Sequence, residues 1–324
     1  MRACMNSPMH LPPSFWGTCV HHNPPHPFRR FFMKQEVVLK NNETYAYMTQ
    51  GDEAHPPLIL VHGNMSSSFH FTPIMEALAR DYYVIAPDLR GFGDSTYHTP
   101  LESLHDLADD LVLFAGALGI PRAAWAGWST GGGVILSLAA RKSELVSHLI
   151  LIESASIKGY PIFKKDENFQ PILTELYQDK AAMAADPVQV APAVSAMEND
   201  NHAYLKGVWE AAIYNVKVPA EIDAFIAESL KQRNLVDIDW ALMTFNMSDE
   251  HNGVVAGDGT AKHIQAPILN IWGQKDYVIP EVMFQQNVAA FPEAESLILE
   301  NGSHSPITDE PETIVNAIRA FIQA

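Results

Sequence analysis

The sequence predicts an α/β fold: a mostly parallel eight-stranded sheet with helices on both faces and an inserted helical cap. Three observations predict it. Short apolar runs recur along the chain, and each ends at a turn signal such as glycine or proline. Helical stretches separate these runs, which is the pattern of parallel strands buried on both faces. The alternation stops between Ser154 and Lys262, where the pattern is mainly helical.

The elements follow one another in a regular order. Residues 36–39 and 44–48 are joined by a polar turn and predict a β-hairpin. Helices are predicted at residues 73–80 and 101–118. The buried strands are predicted at residues 58–62, 82–86, 123–128, 149–152, 268–272 and 297–299.

The same patterns divide the chain into three parts. Residues 33–154 and 263–324 form the predicted core, and residues 155–262 form the predicted helical cap, or lid. Residues 1–32 are rich in proline and histidine and contain both cysteines, Cys4 and Cys19. Because dense prolines block helix and ladder formation, a disordered extension is expected there. One alternative is that translation starts at Met33, so that residues 1–32 do not belong to the working protein. The other is that this segment forms a small metal site.

Composition excludes several classes of function. The chain has 324 residues and a formal net charge of −17, which argues against nucleic acid and anionic membranes as partners. It contains no apolar run of the length that spans a membrane, and no continuous apolar stretch of a secretory signal. Residues 33–324 contain no cysteine, which is consistent with a cytoplasmic location. No motif requires a metal or a cofactor.

A candidate nucleophile lies where a predicted strand turns into a helix. The run Gly127-Trp128-Ser129-Thr130-Gly131 has the form G-x-S-x-G. In this context glycines permit a turn so tight that a Cβ would collide with the neighbouring strand or helix. The turn exposes the serine hydroxyl above the sheet, beside the positive end of the helix. Ser129 is therefore the predicted nucleophile.

The partners of a serine nucleophile follow in the expected chain order. Asp276 comes directly after a predicted strand, where α/β sheets place their ligands, and His304 lies in the loop after the last strand. His304 would take the proton of Ser129, and Asp276 would fix the imidazole tautomer. Glu153, at the end of another strand, is the alternative acid.

Acyl transfer also needs two hydrogen-bond donors for the developing oxyanion. The residue after the nucleophile, Thr130, is expected to supply one backbone N–H. The loop that follows His62-Gly63 is expected to supply the other, from Asn64 in the first place and from Met65 as the alternative. His62 itself is expected to organise this loop without taking part in chemistry.

From Met33 to Ala324 the chain resembles the α/β-hydrolases that carry a lid. The resemblance rests on five segments: His62-Gly63-Asn64, residues 88–95, residues 127–131, Gly273-Gln274-Lys275-Asp276 and Gly302-Ser303-His304. It implies a serine hydrolase of carboxylic esters that works through an acyl-enzyme. Serine at the nucleophile position closes the aspartate-dependent route of the dehalogenases and epoxide hydrolases of this fold.

Finer resemblances indicate the substrate. Trp128 before the nucleophile, followed by Thr130 and three glycines, resembles the intracellular polyhydroxybutyrate depolymerases of Bacillus type. Hydrolysis of 3-hydroxybutyrate polyester or its oligomers is therefore the expected activity, with Trp128 and Met65 in the substrate pocket. An acyl-homoserine lactonase and a short-chain carboxylesterase are the alternatives. A non-catalytic ligand receptor is the alternative of another class. The sequence does not predict the oligomeric state.

Overall fold

The computed structural model describes residues 33–324, so the expectations for residues 1–32 lie outside the described part of the chain. Ten strands are present in it. They are β1 (Gln35–Val38), β2 (Thr44–Gln50), β3 (Pro57–Val61), β4 (Tyr83–Pro87), β5 (Ala123–Trp128), β6 (Val146–Ile152), β7 (Phe163–Lys165), β8 (Pro171–Leu176), β9 (Ile268–Gly273) and β10 (Glu295–Leu299).

Eight of these strands form one sheet in the order β1-β2-β4-β3-β5-β6-β9-β10. The pairs β1–β2 and β2–β4 are antiparallel, and the pairs from β4 through β3, β5, β6 and β9 to β10 are parallel. The carboxyl ends of β3, β5, β6 and β9 therefore meet at one edge of the sheet. The predicted α/β fold with a mostly parallel eight-stranded sheet is confirmed.

Eleven α-helices accompany the strands in residues 33–324. They are α1 (Thr72–Leu78), α2 (Leu104–Ala117), α3 (Thr130–Arg141), α4 (Lys180–Ala184), α5 (Ala191–Glu198), α6 (His202–Ala212), α7 (Ile222–Ser229), α8 (Leu235–Thr244), α9 (Glu281–Ala290), α10 (Pro306–Asp309) and α11 (Pro311–Gln323). Within this part of the chain, none of the helices has the length and apolarity needed to cross a membrane.

The core lies between the sheet and its covering helices. Central strands have no solvent-facing side: β5 and β9 are buried at every position, which explains why they appear in the sequence as continuous apolar runs. Helix α2 packs on α3, and α1 packs on α11. Helix α11 shows how the sequence directs this packing, since its buried residues recur at helical spacing: Ile314, Val315, Ile318 and Phe321.

Between β6 and β9 the chain forms a long insert, residues 153–267. It contains α4 to α8 and a two-stranded sheet, β7–β8. The hairpin was not predicted, because β8 is mostly solvent-exposed and carries no alternation of apolar and polar residues. The insert also has an apolar cluster of its own, formed by Ile162, Tyr177, Met183, Val190 and Met243.

Candidate active site

The turn between β5 and α3 holds Ser129 in a strained conformation. Its φ of 56° and ψ of −120° lie in a region that non-glycine residues rarely adopt. The neighbouring backbone stabilises this turn: the Ser129 N–H donates to the Ile152 carbonyl at 2.9 Å, and the Ser129 carbonyl accepts from Ala155 at 3.1 Å. The turn is thus anchored to the end of β6.

Glycines make the turn sterically possible. A Cβ on Gly127 would stand 2.5 Å from the Gly131 carbonyl oxygen, and a Cβ on Gly63 would stand 2.8 Å from the Ser129 Cβ. Both distances are shorter than any real contact of a Cβ. The collision expected from the sequence is therefore present, and the loop after β3 lies directly against Ser129.

His304 and Asp276 form a buried pair at the ends of β9 and β10. The His304 Nδ1–H donates to Asp276 Oδ2 at 2.7 Å, and both side chains are almost completely buried. The other Asp276 oxygen, Oδ1, accepts from the Val278 and Ile279 N–H groups at 2.6 and 2.9 Å. The carboxylate is thereby fixed, and a proton on Nδ1 leaves Nε2 of His304 free to act as a base.

Asp276 is ionised despite its burial. Burial alone would raise its pKa, but the adjacent His304 imidazole and the hydrogen bonds from His304 and the Ile279 N–H outweigh that effect and hold the pKa below its ordinary value. An ionised carboxylate is what stabilises an imidazolium as it forms.

Glu153, the alternative acid, contacts Asp276 and makes no hydrogen bond to His304. Its carboxyl is fully buried, and no N–H or O–H of the described residues donates a conventional hydrogen bond to either oxygen. Burial, and then the negative charge of Asp276, raise the pKa of Glu153 well above its ordinary value. The protonated, neutral form of Glu153 is therefore favoured, and its carboxyl lies against Asp276 without competing for His304.

Replacing Glu153 tests this arrangement. We expect Glu153→Gln, which keeps a donor and is neutral at every pH, to retain kcat within a few-fold. Glu153→Leu removes the polar neighbour of the buried Asp276 carboxylate and should lower kcat about tenfold. Ester turnover and thermal unfolding of both variants check this. An ionised Glu153 would instead make the Gln variant differ strongly from the wild type.

His62 organises the loop after β3, as expected. Its Nε2 accepts from the Leu89 N–H at 2.9 Å, which places the ring proton on Nδ1, 2.8 Å from the Gly63 carbonyl. Burial lowers the pKa of His62 to about 4, so the ring is neutral. Both ring nitrogens are engaged in holding backbone, and His62 has no free position for chemistry.

The two candidate donors of that loop differ in their engagement. The Met65 N–H donates to the Asn64 side chain at 3.0 Å and to Gln232 Oε1 at 2.8 Å. The N–H groups of Asn64 and Thr130 have no acceptor among the described residues. Asn64 and Thr130 therefore have the free N–H groups that an oxyanion needs, and Met65 does not.

A cavity of about 290 Å³ opens at the carboxyl edge of the sheet. The candidate residues Ser129, Thr130, His304, Asn64, Met65 and Trp128 all line it, whereas Asp276 lies behind His304. The insert supplies most of the remaining wall, which is largely apolar: Ile162, Val188, Ala193, Leu205, Val208, Trp209, Ala212, Ile213, Leu235 and Leu242.

Trp128 connects this wall to the histidine loop. Its indole Nε1–H donates to the His304 carbonyl at 2.6 Å, and its ring packs edge-on against Trp209 with centroids 6.2 Å apart. It thus contacts the cavity and also supports the backbone that carries His304.

Asp239 in α8 is a cavity residue that the sequence analysis missed. Its Oδ1 accepts from the Asn64 side-chain amide at 2.8 Å. Burial, opposed by that hydrogen bond and reinforced by the charge of Asp186, raises the pKa of Asp239 from 3.8 to about 7. Its sequence neighbours gave no signal, because the partner that places it at the cavity is 175 positions away.

This pKa makes stability depend on pH. Between about pH 4 and 7 the folded protein keeps a proton on Asp239 that the unfolded chain has lost, so this contribution to the unfolding free energy falls as pH rises from about 4 to about 7. Asp239→Asn removes the titration. We expect its stability relative to wild type to grow by up to about 4 kcal/mol between pH 4 and 8. Urea unfolding at both pH values measures this, and a pH-independent difference would contradict it.

Comparison with known proteins gives the family. The model of the family described as alpha/beta hydrolase fold matches residues 56–311. The chain is 26% identical to the pimeloyl-[acyl-carrier protein] methyl ester esterase of Vibrio atlanticus, over 83% of this chain and 95% of that one. It is 23% identical to the esterase YbfF of Escherichia coli, over 86% and 97%.

The solved structures agree in fold. The esterase RhEst1 from Rhodococcus sp. ECU1013 superposes with a TM-score of 0.68 at 22% identity, covering 90% of this chain and 98% of that one. Esterases thus recur among the similar proteins, in agreement with the expectation of a carboxylic ester hydrolase. With the match spanning most of its length, the chain belongs to the α/β hydrolase fold family.

Proposed function

We propose that the protein hydrolyses carboxylic esters through an acyl-enzyme on Ser129. The proposal rests on three features that meet at the cavity. They are a serine at a strained strand-to-helix turn, a buried His304–Asp276 pair, and two unengaged backbone N–H groups. These are the components that acyl transfer requires.

The reaction then proceeds in two halves. His304 Nε2 takes the proton of the Ser129 hydroxyl as Oγ attacks the ester carbonyl, and the N–H groups of Asn64 and Thr130 stabilise the oxyanion. Collapse breaks the bond to the alkoxy group, which leaves as the alcohol with the proton from His304. Water, deprotonated by His304, then attacks the acyl-enzyme and releases the acid and free Ser129.

The cavity favours small and medium acyl groups. Its volume of about 290 Å³ is at the lower end of ligand pockets, and its wall is mostly apolar. We propose residues 155–262 as the cap that encloses the acyl chain, since α5, α6 and α8 all contribute to the wall. Trp128 and Met65 would contact the acyl group from the side of the core.

The finer proposal is an ester of 3-hydroxybutyrate, as the resemblance around Trp128 implies. A cavity of this size suits a short oligomer whose terminal unit enters it, and the esterase relatives support the ester class without specifying this acyl group. Lactones and other short-chain esters remain alternatives within the same chemistry.

A substrate panel tests both levels of the proposal. We expect kcat/KM on p-nitrophenyl esters to peak at short to medium acyl length and to fall beyond about ten carbons, because a longer chain exceeds the cavity. Dimers and trimers of 3-hydroxybutyrate, amorphous polymer granules and an acyl-homoserine lactone are run beside them. Oligomer cleavage supports the finer proposal. Ligand binding without turnover on any ester would contradict ester hydrolysis and favour a receptor.

A further inference from the structure

One carboxyl group interrupts the apolar wall that the insert contributes to the cavity. Asp239 lies on α8 with only 9% of its surface exposed, and it lines the cavity beside Leu235 and Leu242. A charged or polar group in such a place costs free energy unless its hydrogen bonds are made. The partners of its two oxygens therefore indicate its role.

The two oxygens of Asp239 have different surroundings. Oδ1 accepts the hydrogen bond from the Asn64 amide. Oδ2 receives no hydrogen bond from any residue between 33 and 324, and it is not fully shielded from solvent. Oδ2 therefore borders the open space of the cavity and is free to accept a hydrogen bond from a molecule bound there.

Among residues 33–324, no cationic side chain neutralises the Asp239 carboxyl. The charged group that acts on it is Asp186, whose own oxygens are engaged by Lys165, Tyr177 and the backbone N–H groups of Val188 and Gln189. An acceptor for the Asn64 amide alone could have been a neutral side chain. A carboxyl with one unengaged oxygen is suited to a donor that arrives with the substrate.

We propose that Asp239 Oδ2 forms a hydrogen bond with a hydroxyl group on the acyl part of the substrate, close to the ester carbonyl. This inference rests on the proposed ester hydrolysis and gives it a specificity residue. The position of the hydroxyl follows from Asn64, whose backbone N–H is assigned to the oxyanion and whose side chain touches Asp239. One side chain thus separates the carbonyl site from the hydroxyl site.

A hydroxyl fits this site better than an ammonium group. The pKa of about 7 means that Asp239 exchanges a proton near neutrality, and a hydroxyl can pair with both protonation states because it donates and accepts. An ammonium group donates only and would enter a largely apolar wall, where its desolvation is costly. The substrate class is therefore a hydroxyacyl ester.

The test compares two esters that differ in this one group. Methyl butyrate and methyl 3-hydroxybutyrate, the latter as each enantiomer, are hydrolysed by the wild type, Asp239→Asn and Asp239→Leu. We expect the wild type to prefer one hydroxylated enantiomer by about tenfold or more in kcat/KM. The preference should shrink in the Asn variant, which keeps the bond to Asn64, and fall to about one in the Leu variant.

The ratio of the two rates separates recognition from a purely structural role. Loss of support for Asn64 would slow both esters equally and leave the ratio unchanged, which would overturn the inference. Asp237→Asn, on the same helix but ion-paired with Lys180, is the matched control and should keep the wild-type ratio. A preference for methyl 3-aminobutyrate over the hydroxy ester would also overturn it. Absence of turnover on every ester would overturn the proposed function itself.

Discussion

Replacing Ser129 by alanine is expected to lower ester hydrolysis by at least about 10⁴-fold, to the level of the residual stabilisation from the cavity and its N–H donors. The Oγ atom that forms the bond to the acyl group is then missing, and nothing else on the cavity wall replaces it. The strained φ of 56° should remain, because Gly127, Gly131 and the hydrogen bond to Ile152 impose it.

The measurement is kcat/KM on p-nitrophenyl butyrate, with thermal unfolding to establish that the variant is folded. Ser143→Ala is the matched control, since Ser143 is exposed and lies at the opposite end of α3 from the cavity. A Ser129→Ala protein that is folded and retains more than a few per cent of the wild-type rate would exclude Ser129 as the nucleophile.

Asp276→Asn is expected to have the second largest effect, a loss of about 10⁴-fold in kcat. The amide keeps the shape of the side chain, but its NH₂ group cannot accept the Nδ1–H of His304. The imidazole then shifts its proton to Nε2, which can no longer act as the base, and the imidazolium loses its counter-charge.

The pH–rate profile and the imidazole proton signals in NMR check this prediction. The wild type should show a hydrogen-bonded Nδ1–H of His304 that the variant loses. Asp52→Asn, an exposed position, controls for the change of charge and should behave as wild type. Retained activity in Asp276→Asn would transfer the role of acid to Glu153, the other carboxyl at this edge of the sheet.

The sequence predicted those parts of the molecule in which local pattern determines structure. The central strands are buried on both faces, so β5 and β9 appear as uninterrupted apolar runs with a turn signal at the end. The turn at Ser129 was predictable because steric crowding restricts residues 127 and 131 to glycine. The positions of Asp276 and His304 after predicted strands, in the expected chain order, were enough to predict them as partners of Ser129.

Features that depend on distant contacts were not predictable in this way. The hairpin β7–β8 lies on the surface of the insert and therefore lacks an apolar alternation. Asp239 and Gln232 sit in an insert whose helical pattern does not reveal which side chains reach Asn64 and Met65. The protonation state of Glu153 depends on its burial and on its contact with Asp276, which follows a different strand. From the sequence alone, the two residues were alternative candidates for the same acid.

Trapping the acyl-enzyme tests directly whether Ser129 is the nucleophile. The protein is quenched in acid during turnover of p-nitrophenyl butyrate, and its peptides are analysed by mass spectrometry beside those of Ser129→Ala. We expect a butyryl group on the peptide that contains Ser129, with none in the variant. Steady turnover with a butyryl group on another residue, or with no acylated peptide when acylation outpaces deacylation, would contradict it.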